Sequence, residues 1–169
     1  MKVGLIGDTH DRVPAVEQFA ERFAAAGASF VLHAGDYCAP FSLAPFRAGA
    51  LPLLGVFGRN DGDRDGLRAA ASTLPSGGEL FESPHSLELG GRSVLLVHDL
   101  GDALARSVEG HAIVVHGCSH RAEVRQRGGT LLVNPGEACG WLTGSCTAAV
   151  LDLDTLSVER VTLDLPRGA

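Results

Sequence analysis

Two mixed β-sheets packed face to face, with helices on their outer surfaces, are the α/β architecture that this sequence predicts. Short apolar runs recur along the chain and end in Gly, Asp or His, and a helix-spaced segment separates the first two of them. The final third changes to strand-like segments joined by tight turns.

The apolar runs are Val3 to Ile6, Phe30 to Ala34, Leu53 to Phe57, Val94 to Val97, Ile113 to Val115 and Leu131 to Val133. Their continuity predicts strands buried on both faces, which is the pattern of a parallel sheet. Between the first two, Val13, Val16, Phe19, Ala20 and Phe23 recur at helical spacing, and Gly27 supplies a stop. A second helix is expected over Phe41 to Arg47. A third starts near Asp63, with Gly66 weakening it, and Pro75 to Gly78 reads as a loop. Farther on, Ala122 to Gln126, Thr130 to Val133, Thr147 to Leu153 and Ser157 to Leu163 read as an antiparallel meander turning at Gly128-Gly129 and Asp154-Thr155.

Residues 1–169 are expected to form a single domain, because a chain of this length that is 45% hydrophobic can bury one substantial core. No apolar run approaches the roughly eighteen residues of a membrane helix, and MKVGLIGDTH passes directly into a polar motif, so no membrane association is expected. The four cysteines lack paired zinc-ribbon spacing and are too few to staple the fold, which points to a reducing, cytoplasmic setting. A net charge of −6 without a basic run argues against nucleic acid as partner and in favour of a small substrate. A homo-oligomer is left open.

The chemistry lies at the strand ends. Gly7-Asp8-Thr9-His10 follows the first run, Gly35-Asp36 the second and Gly58-Arg59-Asn60-Asp61 the third. His98 follows Val97, and Gly117-Cys118-Ser119-His120 follows the run ending at Val115. Strands that point the same way bring their ends to one edge of the sheet, where ligands bind. Carboxylate and imidazole are donors for Mn, Fe, Ni or Zn. Each residue alone reads more readily as a cap, a turn or a structural histidine, but the set in this order reads as a metal centre.

With these motifs the chain resembles the calcineurin-like metallophosphoesterase superfamily, and within it the small single-domain phosphodiesterases of the YfcE-like group. The resemblance extends to Asn134-Pro135-Gly136. It implies a four-layer α-β-β-α sandwich and a site for one or two divalent cations, bridged by an aspartate and a water or hydroxide. Carried over by position, Asp8, His10, Asp36 and His120 hold the first cation. Asp36, His98 and the positions of Arg59 and Cys118 hold the second, where the family usually has Asn and His. Asn134 and Gly136 shape the substrate mouth.

These departures put the second site in doubt. A thiolate at Cys118 binds Zn, Fe or Ni, whereas the guanidinium of Arg59 offers only donors and cannot ligate a cation. Three accounts of Arg59 stay open. Asn60 takes over as ligand; Arg59 replaces the second cation and holds a phosphate oxygen; or Arg59 is a solvated residue paired with Asp61, Asp63 or Asp65. Arg59, Asn60 and Asp61 are thus the catalytic candidates beside the metal ligands, with Asp61 acting behind them.

The activity implied is hydrolysis of a small phosphate ester, most readily a diester, by metal-activated hydroxide. The alternatives are a non-catalytic interaction scaffold of the same fold, as the retromer subunit is regarded, or a one-metal hydrolase using Arg59. Cys38, Cys139 and Cys146 read as apolar fillers, and His33, His85, His111 and His116 as structural or exposed. Trp141 reads either as a wall of the substrate pocket or as a loop anchor.

Overall fold

The computed structural model describes residues 1–49 and 51–166. In chain order they form β1 (Lys2–Ile6), α1 (Val13–Ala25), β2 (Ala28–His33), a 3₁₀ turn (Pro40–Leu43), α2 (Pro45–Ala48), β3 (Leu53–Val56), α3 (Arg64–Ser72) and β4 (Gly78–Phe81). The chain continues through β5 (His85–Leu89), β6 (Arg92–Val97), a second 3₁₀ turn (Leu100–Asp102), α4 (Ala105–Glu109), β7 (Ile113–His116), β8 (Glu123–Arg127), β9 (Thr130–Asn134), β10 (Cys146–Asp152) and β11 (Val158–Leu163).

The strands make two sheets. One is ordered β11-β10-β1-β2-β3-β4 and the other β5-β6-β7-β9-β8. Both are mixed, as the sequence predicts: β1 to β4 pair in parallel, β10 runs antiparallel to β1, and β6, β7 and β9 are parallel between antiparallel edges. The expected division into a parallel first half and a meandering second half is not how the sheets divide. Strand β10 returns to lie beside β1, with β11 outside it, so the first sheet draws on distant parts of the chain.

Side-chain alternation along the strands builds the layers. Val3, Leu5, Leu32 and Val56 meet Val94, Leu96, Ile113, Val115 and Val133 between the sheets. On the outer face of the first sheet, Ile6 and Val31 pack under Val16, Phe19 and Phe23 of α1, together with Leu67 and Ala71 of α3. On the outer face of the second, Leu95, Val97, Val114 and Leu132 are covered by Val108 of α4. Helix, sheet, sheet and helix are therefore the four layers.

Gly4 marks where α1 approaches most closely, since a Cβ there would lie 2.6 Å from Phe23 Cγ. Phe23 is fully buried and has no room to yield. Gly4→Ala is expected to destabilise the chain by about 1–3 kcal/mol, measured by urea unfolding; an unchanged midpoint would refute this packing.

Three local expectations need correction. The predicted helix over Phe41 to Arg47 is broken into a 3₁₀ turn and a short helix, because Pro45 starts a new first turn. Gly66, expected to weaken α3, belongs to its cap: the Asp63 carboxylate accepts from Gly66 N at 2.9 Å, and a Cβ would collide with that carboxylate. The loop expected over Pro75 to Gly78 gives way at Gly78 to β4, an edge strand without a continuous apolar run.

Candidate metal centre

The loops after β1, β2, β3, β6 and β7 meet at one rim of the sandwich, and their backbones hold one another. Asp8 N donates to Gly35 O, the N–H groups of Thr9 and His10 donate to Asp36 O, and Gly117 N donates to His98 O. Asp8, His10, Asp36, Cys118 and His120 all adopt left-handed backbone, with φ between 39° and 66°. L-residues adopt it rarely, and at some energetic cost.

This geometry gathers donor atoms. Ligand atoms of Asp8, His10, Asp36 and His120 all lie within 4.8 Å of one another. Asp36 Oδ2 is 3.5 Å from both His10 Nε2 and His98 Nε2, and Asp8 Oδ1 is 3.8 Å from His120 Nε2. His98 Nδ1 lies 2.8 Å from Ala34 O, which fixes the proton on Nδ1 and turns the Nε2 lone pair toward Asp36.

Asp8 Oδ2, His10 Nε2 and His98 Nε2 are buried with no hydrogen-bond partner. Orphaned buried polar atoms are costly, and several facing one point fit a bound cation. Burial pushes the Asp8 carboxyl up to about 6, against the pull of His120 and His98. Burial also lowers the His10 pKa, so its ring stays neutral and free to ligate.

The proposed second set is less compact. Among the described residues, the groups that converge within 4.8 Å are the four above and His10-His120-Cys139, and Asp36, His98 and Cys118 do not form such a group. Cys118 points elsewhere: its thiol, raised to about 11 by burial with Asp99 beside it, lies 3.6 Å from Asp99 Oδ2. Arg59 is mostly exposed and pairs with the same Asp99 oxygen. The expected pairing of Arg59 with Asp61, Asp63 or Asp65 is replaced by this longer-range contact across the rim. To reach a phosphate, Arg59 would have to leave Asp99.

Asn60 and Asp61 shape Asp36. Asn60 donates to Asp36 from its backbone N at 2.9 Å and from its side-chain amide at 2.8 Å. Asp61, 4% exposed, accepts from the N–H groups of Asp36, Cys38 and Gly58 and so ties the two loops together. Gly58 allows this approach, since a Cβ there would sit 2.2 Å from Asp36 Oδ1.

Asn134 and Gly136, expected at the substrate mouth, are tied to the Gly117 to Ser119 loop and to each other. Asn134 is buried, donates to Gly117 O and Ser119 Oγ, and accepts from Gly136 N.

Two participants escaped the sequence reading. Glu137 is fully buried, with Oε1 3.0 Å from His120 Nδ1. Burial opposes its ionisation, yet hydrogen bonds from the Thr143 hydroxyl and the N–H groups of Leu142 and Thr143 hold its carboxyl down to about 2. Cys139, read as a filler, is buried but converges with His10 and His120. The signal for Glu137 was its place directly after Asn134-Pro135-Gly136.

The fold and this rim of carboxylates and imidazoles define a metal-dependent hydrolase of the two-sheet sandwich type. The chain belongs to the calcineurin-like phosphoesterase superfamily, whose domain matches residues 1–156. It is 26% identical over 167 residues to the phosphodiesterase MJ0936 of Methanocaldococcus jannaschii, covering 97% of this chain and all of that protein. The structure of a novel archaeal phosphodiesterase superposes with a TM-score of 0.90 at 26% identity, over 96% of this chain and 100% of that one. The phosphoesterase YfcE of E. coli shares the fold, with a TM-score of 0.69 at 20% identity over 95% and 98% of the two chains.

Proposed function

We propose that this protein hydrolyses phosphodiesters with the help of one or two divalent cations. The convergence of Asp8, His10, Asp36 and His120, with buried donor atoms that have no protein partner, carries this proposal. Those four residues would hold one cation; Asp36 and His98 would hold a second, joined by Cys118 or Asn60 after a change of side-chain direction. A bound cation supplies charge neutralisation at the phosphoryl oxygens and lowers the pKa of a water.

The chain's own groups do the positioning. The Ala34 carbonyl sets the His98 tautomer, Glu137 orients His120, and Asn60 and Asp61 fix Asp36 from two sides. Asn60 has no proton acidic enough to protonate a leaving group, so esters with good leaving groups are the favoured substrates. The four unpaired cysteines support a cytoplasmic setting, and manganese is proposed alongside zinc, iron and nickel as the working metal. Residues 1–169 act as one domain in this proposal, since the layer between the sheets draws from both.

Metal content of protein purified without chelator, together with hydrolysis of bis(4-nitrophenyl) phosphate across added Mn, Ni, Zn and Fe, tests the proposal. Bound cation and metal-dependent turnover are expected. Neither metal nor turnover under any addition would refute it.

A further inference from the structure

A cleft of about 320 Å³ opens directly beside His10, His120 and Asn60. Glu137 also lines it, with its carboxylate held by the Leu142 and Thr143 N–H groups and the Thr143 hydroxyl, and the rest of the wall is apolar: Cys139, Trp141 and Leu142. Trp141 is 43% exposed and Leu142 is 74% exposed. Exposed large apolar side chains beside a polar cluster mark a binding surface more often than an accident of packing.

The indole is held in place. Arg12, itself buried, stacks with its guanidinium 4.5 Å from the Trp141 ring centre, while donating to the carbonyls of Cys139 and Pro166. Glu137 pins the adjoining loop through the N–H groups of Leu142 and Thr143. Held by Arg12 and by its indole N–H donating to His10 O, Trp141 lines the cleft as an aromatic surface next to the proposed cation ligands.

The cleft's charge excludes one class of ligand. Among the described residues, no Lys or Arg lines it. Arg12 is committed to carbonyls, and Arg59 to Asp99. A second phosphate would therefore find no counter-charge there.

Building on the phosphodiesterase proposal, we infer that this cleft binds the organic arm of the ester, and that it selects a flat, uncharged aromatic arm carried on a single phosphoryl group. Stacking on Trp141 and contact with Leu142 favour such an arm over a methyl-sized one by about tenfold.

Trp141 is the sole tryptophan, so its emission reports the cleft directly. The test titrates the manganese-loaded protein with benzylphosphonate and methylphosphonate, following Trp141 fluorescence and inhibition of bis(4-nitrophenyl) phosphate hydrolysis. Benzylphosphonate should bind about tenfold tighter and alter the emission where methylphosphonate does not. Trp141→Ala should bring the ratio of inhibition constants to within about twofold, and Trp141→Phe should keep most of it. Equal affinities in the wild type, or a preference that survives Trp141→Ala, would overturn the inference while leaving the phosphodiesterase proposal standing. Failure of both phosphonates to bind, with no ester hydrolysed under any cation, would remove the two together.

Discussion

Asp8→Asn will stabilise the cation-free chain above pH 6 and abolish its thermal response to added cation. In the unfolded chain the Asp8 carboxyl titrates near 3.8, and in the folded chain near 6. Below the lower value both states are protonated and the residue contributes nothing to pH dependence. Between the two values the folded chain keeps a proton that the unfolded chain has released, so stability falls as pH rises; above 6 the penalty is complete. Its size is on the order of 3 kcal/mol, and removing the charge removes it. The same substitution deletes a proposed anionic ligand, so cation should no longer raise the melting temperature of the variant. Thermal melts at pH 4 and pH 8, with and without manganese, check both halves. A variant less stable than wild type at both pH values would contradict the account of Asp8 as a buried carboxylate whose neighbours compensate its charge only in part.

Glu137→Gln should have the opposite sign. The carboxylate is stabilising because the hydroxyl and N–H donors around it favour its charged form. Its contribution is present above the ordinary carboxyl range, near 4.5, and is lost as pH falls toward the folded value near 2. Glutamine keeps one acceptor oxygen and places an amide against donors. A loss of about 3 kcal/mol or more in urea unfolding at pH 7 is expected, because buried N–H groups lose their partner. Cation affinity should also fall by about 10–100-fold, since His120 loses the group that orients it. Calorimetric titration with manganese separates the two effects. Unchanged affinity would show that His120 is held well enough by its own loop.

These two residues differ in how visible they were in the sequence. Asp8 announces itself through position: an Asp two residues before a His, directly after an apolar run, at the end of a strand whose neighbours end in the same way. That regularity follows from parallel strands, which deliver their terminal residues to one edge whatever the details of packing. Glu137 carries a weaker mark, its place directly after Asn134-Pro135-Gly136. It follows a turn, and nothing nearby says that its carboxylate reaches His120, 17 residues earlier in the chain, by folding inward. Asp99 was hidden for a similar reason. It pairs with Arg59 across 40 positions of sequence, and local charge proximity pointed instead to Asp61, Asp63 and Asp65. Strands β4 and β5 escaped because they lie at sheet edges, where half-exposed residues blur the apolar pattern. Motifs fixed by backbone direction were legible; partners chosen by tertiary packing were not.

The left-handed residues at the rim bear on how quickly the centre can be filled. Among the described residues, Leu156 apart, the non-glycine residues with positive φ are Asp8, His10, Asp11, Asp36, Cys38, Cys118 and His120, all in the loops that carry or adjoin the proposed donors. Backbone held so far from its resting preference by a surrounding scaffold has little freedom left to lose. An arriving ion would meet donors already set for it, without waiting for chain to reorganise, so its capture would be governed by how fast it sheds its own hydration shell.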